Sequence, residues 1–365
     1  MTTRSPSLES IDHRRRAFAF ALPVSLAVLA LAHAGLAQSE AWTPPQTQRR
    51  GPVRTARMVT DDRGTRLAFD DVPRRIAAIS YFGADTALAL GVRPVASTFL
   101  ARARRPAYLC GQLDDVLDLG QRASANLELL ARARPDMIVA MRRYTEANAP
   151  KLAQIGPYVA LDLETLEDGM RGIEIVGAAL DRVDEATRIH QRFTAQLDDY
   201  VTRVPKHRTP PRYAFVWGAG SAPWAYYDEN CTCTILNRLG AVNIAGRNPW
   251  PERRDNTAFQ ISLEALLRVA PDMVFVYDDG PAHAFEANAA WRYLIAQHGT
   301  RVIHVDDHWI ESCGPIARHT VLAEAAAYLY PATFARPELR TLVASYLLDR
   351  AHAGEANSSA HHPTP

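Results

Sequence analysis

Few residues in this 365-residue chain have the spacing that bond-breaking chemistry needs. A nucleophile elbow needs Gly-x-Ser-x-Gly, a phosphate loop needs Gly-x4-Gly-Lys-Ser/Thr, and a dinucleotide site needs Gly-x-Gly-x-x-Gly after a strand. The nearest glycine cluster, Gly218-Ala219-Gly220-Ser221, completes none of them. Metal capture is as poorly served. His304 and His308 lie four apart, but across the end of an apolar strand, so they do not share a helix face. Asp306, Asp307 and His319 add donors without completing three or four convergent ligands. The four cysteines lack zinc spacing. In an oxidising compartment they would pair instead. Four cysteines allow three full pairings, among which the sequence does not choose; Cys231 and Cys233 are too close to bridge each other easily, and the bond expected joins Cys313 to one of those two. The expectation is a chain that is not an enzyme and holds no resident cofactor or metal.

Binding chemistry is better represented. Arg142 and Arg143 follow an apolar strand and would offer cations to an anionic ligand. Tyr81 follows the first strand of a parallel sheet, at the end where ligands of such sheets sit. Trp224, Tyr226, Tyr227 and Trp309 are aromatic candidates in the second half of the chain. Net charge is only +1. A nucleic-acid surface would need a concentrated basic patch to displace counterions, and no long basic block lies beyond the first 20 residues.

The elements that must position these residues can be read from periodicity and punctuation. Arg14-Arg15-Arg16 precede an apolar run, Ala17 to Ala32, with small residues to Ala37, the layout of a secretory signal. Arg15-Arg16-Ala17-Phe18 also resembles a twin-arginine signal, so export through either the Sec or the twin-arginine route, to the periplasm, is expected. The resulting organisation is a signal peptide (1–37), a Pro- and Arg-rich leader (38–56), a first lobe (57–183), a connecting helix (184–204), a second lobe (205–350) and a polar tail (351–365). The fold class is α/β, two Rossmann-like lobes built from strand–helix–strand units. In the connecting segment Ala186, Ile189, Phe193, Leu197, Tyr200 and Val204 recur every three or four residues, one face of a helix, with Asp184 as its expected N-cap. Such a helix is about 30 Å long at 1.5 Å per residue, enough to bridge two lobes. One unit recurs: Leu127–Ala140 (LELLARARPDMIVA) and Leu263–Val276 (LEALLRVAPDMVFV) both read Leu-Glu, an apolar helix, Pro-Asp-Met and a strand.

The order of DDVPRRIAAIS, LALGVRPVA, ANLELLARARPDMIVA, ILNRLGAVNIA, ISLEALLRVAPDMVFV and WRYLIAQHGTRVIHV resembles the helical-backbone family of periplasmic binding proteins, over about residues 57–345. That family includes binders of ferric siderophores, haem and vitamin B12. The run Gly120-Gln121-Arg122 to Asn126-Leu127-Glu128-Leu129-Leu130 is most similar to its ferric hydroxamate-binding members. The resemblance implies a monomeric solute-binding protein that feeds an iron(III)-siderophore, of hydroxamate type, to an inner-membrane ABC permease. Haem, cobalamin and catecholate or citrate chelates are its alternatives. It places a ligand-binding arginine at Arg122, a cleft tyrosine at Tyr144 and a cleft tryptophan at Trp250. The chemistry suits the cargo. A guanidinium presents a planar fork to chelate oxygens, a phenol donates and packs, and an indole gives a flat apolar wall. Glu146 and Glu264 are implied as acids that dock against the permease.

Overall fold

Two sheets organise the chain, one parallel and one mixed, and each contains the repeated unit seen in the sequence. The structure, a computed structural model, describes residues 56–100, 104–206, 209–253, 256–278 and 283–347. The expected signal peptide, the leader up to 55 and the polar tail lie outside these residues. The first sheet orders its strands Leu117–Asp118, Ala96–Ser97, Ile76–Ile79, Met137–Met141 and Tyr158–Leu161, all parallel. Its strands Ile76–Ile79, Met137–Met141 and Tyr158–Leu161 are buried at every position, because helices cover both faces; this is why they read as continuous apolar runs rather than alternating ones. A small antiparallel hairpin, Arg57–Thr60 with Arg66–Phe69, precedes it.

The second sheet is mixed. Arg212–Trp217 pairs in parallel with Met273–Tyr277, which pairs in parallel with Arg301–Val305. On the other side Arg212–Trp217 pairs with the antiparallel strand Trp224–Tyr226, followed by Ala258–Gln260.

The sequence echo has the same local geometry in both halves. Helices Leu127–Ala133 and Leu263–Val269 begin at side-chain caps, Asn126 and Ser262, and stop at residues in the left-handed region, Arg134 and Ala270. The aspartate of each Pro-Asp then accepts from the chain entering the neighbouring strand: Asp136 from Arg75 N at 2.7 Å, Asp272 from Arg212 N at 2.7 Å. The side chains of Arg75 and Arg212 in turn donate to the last helix carbonyls, Ala133 and Val269. One Arg, one Asp and one cap therefore close each helix-to-strand turn.

The predicted long helix spans Val183–Arg203 and buries Ala186, Ile189, Phe193 and Leu197. Asp184 does not cap it. Arg182 occupies that position without a side-chain bond, and Asp184 and Glu185 sit in the first turn, where negative charge suits the helix dipole.

The described residues, from 56 onward, form one compact unit. Helix Pro315–Leu329, late in the chain, packs on helix Tyr81–Ala89, near its start. Asp85 of the early helix accepts the N–H groups of Ile316 and Ala317, each at 2.8 Å. Space there is tight: a Cβ on Gly314 would lie 2.5 Å from Asp85 Oδ2.

The expected disulfide is not formed. All four cysteines are free thiols. Cys231 and Cys313 are neighbours, yet their thiols reach the carbonyls of Ser312 and Leu163. Cys233 turns away from both, toward the Tyr226 carbonyl.

Candidate ligand-binding cleft

The site begins with a turn. Gly120 takes a φ of +83°, a value that favours glycine because it has no Cβ to clash. A single 3-10 turn, Arg122–Ser124, follows, and Asn126 caps the next helix by accepting from Glu128 N and Leu129 N. Arg122 is thereby held on a short loop between two fixed points. Tyr144 lies in the helical turn Arg142–Thr145, immediately after the strand Met137–Met141. Thr145 anchors that turn, its hydroxyl 2.9 Å from the Met141 carbonyl and 2.6 Å from the Tyr158 hydroxyl.

These loops bring three side chains together. The Tyr144 hydroxyl accepts from Arg122 Nη2 at 3.1 Å and from Arg143 Nη2 at 2.8 Å. Both guanidiniums also lie over the Tyr144 ring, 4.2 and 4.8 Å from its centroid, a cation–π arrangement. The trio lines a cleft of about 540 Å³. Opposite stand Trp217, Trp224 and Tyr226 from the second sheet, with Leu100, Tyr277 and Ile310 completing the walls. Trp217 stacks on Trp224 at 6.1 Å. Trp217 and Tyr277 each end a parallel strand, so the cleft lies at the carboxyl ends of both sheets, where ligands of open α/β folds bind. A mostly apolar cavity with a few convergent donors is the usual form of a small-molecule site.

Each cleft cation already has a carboxylate partner. Arg122 Nη1 pairs with Glu311, whose side chain is 2% exposed. Arg143 Nη1 pairs with Glu164 at 2.9 Å and reaches Thr257 at 3.5 Å. Burial works to lower the Arg122 pKa, but Glu311 and Tyr144 outweigh it and hold the guanidinium charged above its ordinary value. Arg143 is raised in the same way, with Glu164 and Tyr144 overcoming its burial. Burial pushes the Tyr226 hydroxyl up, with Arg143 and Arg122 pulling it back only in part. Tyr226 therefore remains a neutral donor in the wall.

Several expected residues lie elsewhere. Trp309 is fully buried, stacked on Phe275 at 4.8 Å with its indole N–H on Glu324; it is core. Tyr81 is also core, its hydroxyl donating to Asp307 and accepting from Leu100 N. Tyr227 is buried and stacks on Phe259. Arg142 turns to Asp162, at 2.7 Å, and does not line the cleft. Trp250 is 47% exposed and likewise outside it, because its flanking prolines carry the indole along a surface loop. We expect Trp250→Ala to leave cargo affinity within about twofold, since an exposed side chain away from the ligand contributes little; a tenfold loss on titration would return Trp250 to the site. Of the nine residues expected to bind ligand, Arg122, Arg143, Tyr144 and Trp224 line the cleft. Trp217, Tyr277 and Glu311 were not anticipated.

Among the described residues no three His, Cys, Asp or Glu side chains form a metal-ion set. His304 meets Glu286, and His308 meets Glu324. A second hollow, about 650 Å³, runs along the edge strand Arg301–Val305. It is open and gathers residues from one half of the molecule only.

The chain belongs to the periplasmic binding protein family, whose sequence profile matches residues 76–308. It is therefore a substrate-binding protein and not an enzyme. It is 22% identical, over 75% of its own length and 86% of the relative's, to the Fe(3+)-citrate-binding protein YfmC of Bacillus subtilis (strain 168). It is 24% identical, over 74% of its length and 89% of the relative's, to the Fe(3+) dicitrate-binding periplasmic protein FecB of Escherichia coli (strain K12). Among solved structures, Staphylococcus aureus SirA complexed with staphyloferrin B shares the fold, with a TM-score of 0.60 and 21% identity, over 77% of this chain and 99% of that one. No helix among the described residues is long and apolar enough to cross a membrane.

Proposed function

We propose that this protein captures an iron(III) chelate in the cleft between the two sheets and delivers it to an inner-membrane ABC permease, acting in the periplasm as a monomer. The observation that carries this is the Arg122–Tyr144–Arg143 cluster facing the Trp217–Trp224 stack. Two guanidiniums converge on one point, and a broad aromatic wall closes the other side. That suits a ligand with anionic oxygens on a compact, partly apolar body.

The chelate class follows from charge. Each cleft arginine is satisfied here by a protein carboxylate, Glu311 or Glu164. A cargo that offers carboxylate oxygens in their place reproduces the same charge-assisted bonds. A neutral hydroxamate chelate offers weaker acceptors. We therefore favour an anionic, citrate-like chelate, a reading in line with the two ferric citrate-binding relatives. The hydroxamate reading keeps the aromatic wall as its support. Glu146 and Glu264 are exposed at helix starts, accessible for docking to the permease.

Tryptophan-quenching titrations with ferric citrate, a ferric trihydroxamate, a ferric catecholate, haem and cobalamin test this. Saturable quenching strongest for ferric citrate is expected. Tightest binding of haem or cobalamin would overturn the iron-chelate reading, and tightest binding of the trihydroxamate would restore the hydroxamate class.

A further inference from the structure

Glu311 lies between helices Asp307–Ile310 and Pro315–Leu329, 189 residues from the arginine it binds. Its side chain is almost wholly buried, yet it has two attachments on the opposite half of the molecule. One carboxylate oxygen takes Arg122 Nη1. The other accepts the backbone N–H of Tyr81 at 2.7 Å, in the first turn of helix Tyr81–Ala89, an end where the helix dipole favours negative charge. Ile310, the residue before it, lines the cleft, as does Arg122. The carboxylate thus approaches the cleft from behind, while the guanidinium faces it.

We propose that Glu311 is a specificity-determining residue, an internal carboxylate that occupies Arg122 when no cargo is bound and that any anionic cargo must outcompete. The proposal rests on the reading of the cleft as an anion-chelate site. Without a partner, Arg122 would be a buried cation on a mobile side chain. With Glu311 it is held in one orientation, its second nitrogen on Tyr144. That pairing costs affinity for weak anions, because the cleft carries no net charge: Arg122 is matched by Glu311 and Arg143 by Glu164. A stray small anion gains little by entering. A chelate that delivers a carboxylate oxygen to Arg122 and also covers the aromatic wall gains enough to displace or share the pair. Discrimination is then a difference between two affinities, that of the cargo oxygen and that of Glu311, for the same guanidinium.

Glu311→Gln tests this. The amide keeps an oxygen for the Tyr81 N–H and removes the negative charge. Three probes are titrated against wild type and variant, following cleft tryptophan emission: ferric citrate, iron-free citrate and a neutral ferric trihydroxamate. Because a charge-assisted competitor is lost, the variant should bind both anions at least about tenfold tighter, while the neutral chelate changes by less than about threefold. If a folded Glu311→Gln protein binds neither anion more tightly, Glu311 is a structural tether and the proposal falls. A gain shared equally by the neutral chelate also overturns it, since the effect would then be one of shape. If Glu311→Gln does not fold, Glu311→Asp, which withdraws the carboxylate by one methylene, is judged by the same anion-to-neutral ratio. Should the wild type ignore every iron chelate, the proposed function fails, while the iron-free citrate arm still decides the role of Glu311.

Discussion

Arg122→Ala is expected to weaken cargo binding by about 10- to 100-fold, the loss of a charge-assisted hydrogen bond of roughly 1.5–3 kcal/mol. The guanidinium supplies what no neighbour can. Tyr144 has one hydroxyl, already accepting from two arginines, and Arg143 is turned toward Glu164 and Thr257. Arg122→Lys should recover only part of the loss, because an ammonium lacks the planar fork. The truncation has a second consequence. It leaves the Glu311 carboxylate buried with the Tyr81 N–H as its remaining hydrogen bond. Breaking a buried pair from one side costs about 3–5 kcal/mol, and the 16% exposure of the Arg122 side chain trims that toward the lower end. The melting temperature should therefore fall as well, and Arg122→Ala combined with Glu311→Gln should regain most of it without regaining affinity. Calorimetry beside the quench titration separates the two effects. An unchanged dissociation constant would remove Arg122 from the site.

Fold and cleft were legible in the sequence to different degrees. Strand and helix identity depended on local signals, and those were strong. The Pro-Asp punctuation at 135–136 and 271–272 marked both strand entries, and the spacing of Ala186, Ile189, Phe193 and Leu197 marked the long helix. Arg122 and Tyr144 were legible through the family resemblance, whose motif falls on residues 120–130 and on the turn after the next strand. Glu311 was not, because nothing in Trp309-Ile310-Glu311-Ser312 indicates a partner 189 residues earlier; only the packing of helix Pro315–Leu329 on helix Tyr81–Ala89 brings it there. The tryptophans show the same limit. The resemblance placed Trp250 in the cleft and Trp309 was an aromatic candidate of the second half, yet one is exposed and the other core. Trp217 did carry a signal. It closes a strand of a parallel sheet, the end at which ligands bind, and strand-end position outweighs aromatic character as a guide.

Asp85→Ala is expected to be the most destabilising single change outside the cleft, and its penalty should depend on pH. The carboxyl is fully buried and accepts from Ile316 N, Ala317 N and the Tyr108 hydroxyl. Alanine leaves two buried helix-start donors without their acceptor, at about 1–3 kcal/mol each. At roughly 2–4 °C per kcal/mol for a chain of this order of size, the melting temperature should drop by about 10 °C. Burial pushes the Asp85 pKa up to about 7, with the two backbone N–H groups, Tyr108 and Arg318 restraining the rise. An acid whose folded pKa lies above its unfolded value contributes most at low pH. Its contribution is fully present below about pH 4 and is lost as pH rises to about 7, at roughly 1.4 kcal/mol per unit. The gap between wild type and Asp85→Ala should therefore be widest near pH 4, narrow toward pH 7 and stay constant above it. His190 and His319, both lowered to about 4 by burial, act in the opposite sense, since their contribution is lost as pH falls from about 6.5 to about 4. They are present in both proteins, so they cancel in the difference. Calorimetric unfolding of the pair at half-unit intervals reads that difference directly. A gap that widens as pH rises would mean that Asp85 holds the helix as a carboxylate throughout, with the two N–H bonds prevailing over burial.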